Sequence, residues 1–325
     1  MVSLRVFGAM FRKHTHSSLR NFGCMRYYSC ETNHDPKLRF VQFLRDNEER
    51  HRLGVVSENG SYLTEIPSGS GFPNDMITFI KQNYCISELG EKIKHFKKEE
   101  MNESITLLPP VTSPEKIICI GLNYQDHCEE QNKEPPKQPM FFSKFNNTLV
   151  GPRGNVIAHK ITTKMDWEIE LAVIIGEKCK DVSREKALDY VFGYSVAQDI
   201  SARDWQRSRN GGQFLIAKSM DTFLPIGPSI VHKSLIKNPH DLEMVCKING
   251  IEKQRSNTDN MIYKIDDMIS RLSESMTLQP GDVLLTGTPK GVGMYRNPPE
   301  YLRVGDVIES EIQCLGKMVN KVVTP

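Results

Sequence analysis

The sequence predicts an α+β fold rich in β-strand, with a small α/β N-terminal domain followed by a larger, mainly β domain. Three observations support this. Beyond residue 115, short apolar runs of strand length recur at 116–120, 167–175, 194–197, 243–248 and 283–286, while helical periodicity is confined to 183–190 and 262–272. Strand and helix do not alternate regularly, which disfavours a doubly wound sheet or a TIM barrel. The stretch 107–114 (LLPPVTSP) is stiff and proline-rich, and places a boundary near residue 110.

In chain order, residues 1–30 carry Arg5, Arg12, Lys13, Arg20 and Arg26 with no Asp or Glu. Apolar residues and four serines are scattered among them, a pattern that can coil as a basic amphipathic helix and is the signature of a mitochondrial presequence. Residues 36–110 form the small domain. Within it, 38–44 has strand composition, 53–56 leads into the hairpin turn Asn59-Gly60, and Pro73 opens a helical period through Met76, Ile77, Phe79 and Ile80. Residues 111–325 form the larger domain, where Asn249-Gly250 marks a second hairpin.

Composition removes several functional classes. A formal charge of +2 over 325 residues offers no broad basic surface for a phosphate backbone, so no nucleic-acid partner is expected. No run approaches the roughly 20 apolar residues of a membrane span, and no membrane partner is expected either. Without residues 1–30 the balance is 37 basic against 40 acidic residues. Eight widely spaced cysteines lack a C-x-x-C pair, which suggests free thiols in a reducing compartment.

Four segments carry chemistry. In DWEIELAVIIG (166–176) a strand would place Trp167, Ile169, Leu171, Val173 and Ile175 on one face and Glu168 with Glu170 on the other, their Cα atoms roughly 6.5 to 7 Å apart. Two carboxylates that close suit a hard divalent cation, although a solvated strand face has the same pattern. In YSVAQDISARDWQ (194–206) an apolar strand runs into polar groups, and Asp199 is either a third carboxylate or a helix cap. The G-x-S element at Ser195 lacks the final glycine of a nucleophile elbow. In GLNYQDHCEE (121–130), His127 and Glu130 share one helix face, which lets the carboxylate orient the imidazole toward a water, or leaves an ordinary surface pair. The glycines of GTPKGVG (287–293) let backbone amides approach an anion, and without P-loop spacing a small carboxylate fits better than a nucleotide.

Together with AKSMDTFLPIGP (217–228) and PGDVLLTGTPKGVG (280–293), these segments closely resemble, in order, the C-terminal domain of the fumarylacetoacetate hydrolase (FAH) family, over residues 115–323. The resemblance implies the family's mixed β-roll for the larger domain, usually assembled as a homodimer. It makes Glu168, Glu170 and Asp199 the metal ligands, His127 and Glu130 the water-activating dyad, and Lys218 the active-site lysine. Arg203 and Gln206 match lid-side substrate contacts, and Thr288 matches a holder of the substrate carboxylate. The implied cofactor is Mg²⁺, with Mn²⁺ or Ca²⁺ as alternatives, and the implied partner is a small 2-oxo acid.

Family chemistry passes through an enolate held on the metal, reached by loss of a proton, a carboxyl or an acyl group from C3. A matrix enzyme meets oxaloacetate continually, and nothing in the sequence reads a bulky acyl tail. The expected activity is therefore Mg-dependent enol-keto tautomerisation of oxaloacetate, an isomerase reaction in the mitochondrial matrix. The alternatives are acylpyruvate or fumarylacetoacetate-type carbon-carbon hydrolysis, oxaloacetate decarboxylation, or a non-catalytic binding protein that keeps the fold.

Overall fold

The computed structural model describes residues 38–46 and 48–325; the expected leader lies outside them. In chain order the strands are β1 (Arg39–Arg45), β2 (Arg52–Val56), β3 (Tyr62–Ile66), β4 (Lys98–Glu100), β5 (Ile105–Leu107), β6 (Ile117–Gly121), β7 (Met140–Lys144), β8 (Leu149–Val150), β9 (Asn155–Ile157) and β10 (Met165–Asp166). They continue with β11 (Ile169–Ile175), β12 (Val191–Gln198), β13 (Ser201–Ala202), β14 (Leu224–His232), β15 (Glu243–Ile248), β16 (Ile251–Asn257), β17 (Val283–Leu285), β18 (Val307–Ile312) and β19 (Gly316–Val323). The α-helices are α1 (Met76–Lys81), α2 (Ile86–Ile93), α3 (Gln125–Glu130), α4 (Leu215–Lys218) and α5 (Ile265–Ser275). The fold is α+β and β-rich, as expected.

Twelve strands form one mixed sheet with the path β4-β3-β2-β1-β14-β12-β11-β17-β6-β7, to which β5 adds on β1 and β8 on β14. A second sheet runs β16-β15-β18-β19-β9. Strand β11 lies well inside the large sheet, antiparallel to both β12 and β17, and is buried along its whole length. Its two faces meet different cores. Leu171 and Val173 pack in one cluster with Met244, Ile308 and Met318 of the five-stranded sheet. Ala172 and Ile174 pack in another with Met76 and Phe79 of α1 and Leu89 of α2.

The proline-rich stretch separates β5 from β6, but the residues before it do not build a sheet of their own. Strand β1 pairs with β14, Arg39 opposite Val231 and Phe40 opposite Ile230, so residues 39–107 extend the sheet that carries the rest of the chain. Strand pairing is non-local, so no local composition announces it.

Both expected hairpins form. β2 pairs with β3 across Gly60 (φ 67°), and β15 pairs with β16 across Asn249 (φ 52°) and Gly250 (φ 77°), whose left-handed backbone is why Asn-Gly is suited there. Residues 184–190, expected as an α-helix, wind instead as a tighter 3₁₀ segment with only Ala187 buried, too little apolar surface to favour a full helix. Five of the described cysteines, Cys85, Cys119, Cys128, Cys179 and Cys246, are free thiols, and all but Cys85 are buried. Among the described residues no helix is long and apolar enough to cross a membrane.

Candidate active site

The entrance to β11 and the exit of β12 lie side by side, because the two strands are antiparallel with Ile169 opposite Gln198. Glu168 precedes β11, Glu170 is its second residue and Asp199 follows β12. That register gathers three buried carboxylates whose ligand oxygens lie within 4.8 Å of one another. The backbone locks the junction: the Asp199 amide donates to the Glu168 carbonyl at 2.9 Å, and the Glu168 amide donates to Gln198 Oε1 at 2.9 Å. Asp199 is thus a third carboxylate and not a helix cap.

Three buried cations answer these acids. Lys218 Nζ lies 2.6 Å from both Glu168 Oε2 and Asp199 Oδ2. Lys144 Nζ, at the end of β7, lies 2.7 Å from Asp199 Oδ1. Arg203 reaches Glu168 Oε1 through Nη2 at 2.6 Å and Asp166 Oδ2 through Nε at 2.8 Å. Burial pushes the Glu168 carboxyl up, but Arg203 and Lys218 outweigh it and hold it at about 2. Burial also works against the Lys218 ammonium, yet Asp199 and Glu168 raise it above the usual lysine range.

Glu170 differs. Its hydrogen bond comes from the Gly287 amide at 2.7 Å, and burial together with the Asp199 and Glu168 carboxylates pushes it well above the usual range. The buried acids Asp166, Glu168, Glu170 and Asp199 therefore outnumber the buried bases Lys144, Arg203 and Lys218 by one. A divalent cation fits on both counts: an all-oxygen donor set that hard cations prefer, and a carboxyl, Glu170, whose ionisation its acidic neighbours oppose and a cation would favour.

A cavity of about 270 Å³ opens over this cluster, lined among others by His127, Glu168, Glu170, Arg203, Gln206, Lys218 and Thr288. Every sequence-nominated site residue except Glu130 and Asp199 thus faces one space, and those two stand directly behind it. Helix α3 holds the dyad: His127 Nδ1 donates to Glu130 Oε2 at 2.9 Å, and the other Glu130 oxygen accepts from the Gly291 amide at 2.8 Å. Gln206 Oε1 accepts from Arg203 Nη1 at 3.0 Å. Thr288 Oγ1 accepts from Gln254 Nε2 at 2.9 Å.

The glycine-rich loop brings backbone amides to anions of the protein itself. Amides of Gly287, Gly291, Gly293 and Met294 donate to the protein's own carboxylates: Gly287 to Glu170, Gly291 to Glu130, and Gly293 with Met294 to Asp166 at 2.7 and 3.0 Å. Gly287 has φ 90°, and a Cβ there would stand 2.8 Å from Asn123 Cβ. The loop approaches an anion closely, but the anion is internal. Ser195 is buried inside β12 with its hydroxyl on the Ser229 carbonyl at 2.9 Å, no place for a nucleophile.

Sequence reasoning missed Lys144, Asp166, Gln254, Arg207 and Tyr295. Arg207 and Tyr295 line the cavity, the guanidinium donating to the phenol oxygen. Asp166 sits inside the acidic motif, so its charge was visible; Lys144 and Gln254 had no such signal.

Known proteins share this architecture. The chain is 43% identical over 288 residues, 88% of its length and 92% of the relative's, to a Rattus norvegicus protein named oxaloacetate tautomerase Fahd2a, mitochondrial. It is 41% identical over 287 residues, 85% of its length and 93% of the other's, to fumarylacetoacetate hydrolase domain-containing protein 2 homolog of Dictyostelium discoideum. The structure of a fumarylacetoacetate hydrolase from Exiguobacterium antarcticum superposes with a TM-score of 0.78 at 32% identity, over 89% of this chain and all of that one. Residues 116–323 match the family described as fumarylacetoacetate (FAA) hydrolase C-terminal. With its carboxylate cluster at the β11–β12 junction, this chain belongs to the fumarylacetoacetate hydrolase family.

Proposed function

We propose that the protein is a divalent-metal-dependent oxaloacetate enol-keto tautomerase of the mitochondrial matrix, working with Mg²⁺ and as a homodimer. The observation that carries the reading is the buried Glu168, Glu170 and Asp199 cluster with Lys218 and Arg203 against it at the floor of one small cavity. Relatives named oxaloacetate tautomerase and mitochondrial support the substrate and the compartment, as does a leader with five basic and no acidic residues.

Glu168, Glu170 and Asp199 would hold the cation, whose Lewis acidity draws electron density from the oxygens of a 2-oxo acid and acidifies C3. The protein's own groups do the rest. Thr288 and Gln206 line the cavity where they can fix the substrate's orientation. Enol-to-keto conversion moves one proton from oxygen to C3. Lys218, kept protonated by Glu168 and Asp199, is placed to stabilise the enolate charge and to carry that proton. Arg203, braced by Asp166, adds fixed positive charge that needs no rearrangement during the reaction.

A second reading, carbon-carbon hydrolysis of acylpyruvates, is favoured by the dyad. Glu130 accepts the Nδ1–H hydrogen bond of His127, which turns Nε2 toward a water it could activate. The purified protein is therefore assayed in parallel with enol-oxaloacetate and an acylpyruvate, with chelator and after added Mg²⁺. The expected result is rapid ketonisation, lost on chelation and restored by Mg²⁺. His127→Ala should cost hydrolysis about 10² to 10⁴ in rate and ketonisation less. Robust acylpyruvate cleavage with no acceleration of ketonisation would replace the tautomerase with the hydrolase.

A further inference from the structure

We infer that Gln254 is a positioning residue that turns Thr288 into a one-way hydrogen-bond donor facing the substrate. Gln254 lies on β16, outside the motifs that mark the site, and is 1% exposed. Its carboxamide makes three hydrogen bonds. Oε1 accepts from the Ile169 amide at 3.0 Å, while Nε2 donates to the Pro289 carbonyl at 3.0 Å and to Thr288 Oγ1 at 2.9 Å.

The first two bonds fix the orientation of the group. An amide N–H can only donate, so the atom facing Ile169 must be oxygen; a carbonyl can only accept, so the atom facing Pro289 must be nitrogen. Thr288 therefore meets an N–H, and its oxygen must accept. A threonine hydroxyl has one proton to give, and here that proton cannot point back at Gln254. Thr288 lines the cavity alongside Glu170 and Lys218, so its O–H is directed to an acceptor placed there.

Gln254 also joins two parts of the site. The Ile169 amide lies between Glu168 and Glu170, so one side chain sets the backbone between two acidic residues and the proton of the hydroxyl across from them. The inference rests on the proposed binding of a 2-oxo acid carboxylate or keto oxygen by Thr288, and it specifies the polarity of that contact: an acceptor oxygen is favoured there, a donor disfavoured.

Gln254→Glu tests this, because a carboxylate keeps an acceptor for Ile169 but now accepts the threonine proton and withdraws it from the cavity. Three quantities are measured: KM and kcat for enol-oxaloacetate, and Kd for oxalate with Mg²⁺ by calorimetry. Thr288→Val and the double variant complete a cycle, and thermal unfolding monitors the fold. A hydrogen bond to a charged group is worth about ten- to a hundredfold in affinity, so Thr288→Val and Gln254→Glu should each weaken oxalate by about that factor. The double variant should be no worse than the poorer single one. If Gln254→Glu does not fold, the neutral and similarly shaped Gln254→Met takes its place in the same cycle.

Single-variant losses that multiply in the double variant, or a lowered Tm with oxalate affinity unchanged, would overturn the inference. If the wild type binds oxalate with the expected coupling but does not ketonise oxaloacetate, the tautomerase reading fails and the role of Gln254 stands. Ketonisation without coupling would leave the tautomerase standing and remove the role of Gln254.

Discussion

Along one face of β11, two ends of the same strand are buried in opposite ways. At the start, Glu168 and Glu170 enter a cluster of charges, with Lys218 and Arg203 within 2.6 Å of Glu168. A few residues on, Ala172 and Ile174 pack in an apolar cluster with residues of α1 and α2. Titratable groups follow the same division. Glu168 stays ionised in the interior because cations adjoin it, whereas His232 at the end of β14 stays neutral, burial and Lys233 holding its imidazole at about 4. Depth alone therefore does not set the charge of a buried group; its partners do. The charged end is expected to serve chemistry at a cost in stability, and the apolar end the converse.

The sharpest break of this comparison is at Asp199. Asp199→Ala should lower ketonisation about 10³-fold and also cost about 3–5 kcal/mol of stability, because Lys144 and Lys218 each lose a buried partner. Glu170→Gln should lose comparable activity, but in chelated protein it should not lower the urea midpoint, since it removes the carboxylate crowded by Asp199 and Glu168. Rates and urea midpoints measured together decide whether the two residues separate in this way. At the apolar end, Ile174→Ala should cost about 2–5 kcal/mol through transfer and cavity terms, with the rate per folded molecule unchanged.

The smallest effect is a pH dependence. With a folded value of about 4 against an ordinary 6.5, His232 binds fewer protons folded than unfolded between those values. Stability then rises with pH through that window, is complete above about 6.5 and is lost toward pH 4. The loss is about 3 kcal/mol. Replacing the imidazole by the similarly shaped His232→Phe should flatten the unfolding midpoint over that range, and an unchanged pH profile would place the titration elsewhere.

How much of this was legible depended on whether the cause was local. The spacing of Glu168 and Glu170 is a property of three consecutive residues, and so is the turn at Asn249-Gly250; both could be read directly. Asp199 was readable as a polar residue at a strand end, though its place against Glu168 depends on the β11–β12 register. Lys144 was not readable, since it reaches Asp199 only because β7 pairs with β6, β6 with β17, and β17 with β11. The attachment of β1 to β14 was hidden for the same reason. The glycine loop was legible as an anion-binding backbone, but nothing in 287–293 reveals that Glu130, Glu170 and Asp166 fold against it.

That loop has a consequence for how the protein can diversify. One short segment holds a carboxylate from each of three places: Glu130 on α3, Glu170 on β11, and Asp166, the brace of Arg203. A substitution that displaces the segment disturbs all three at once. Arg207, Lys133, Phe214 and Met140 line the same cavity without bonds to that loop's backbone. Substitutions on this wall are expected to reshape the cavity while leaving the three carboxylates in place.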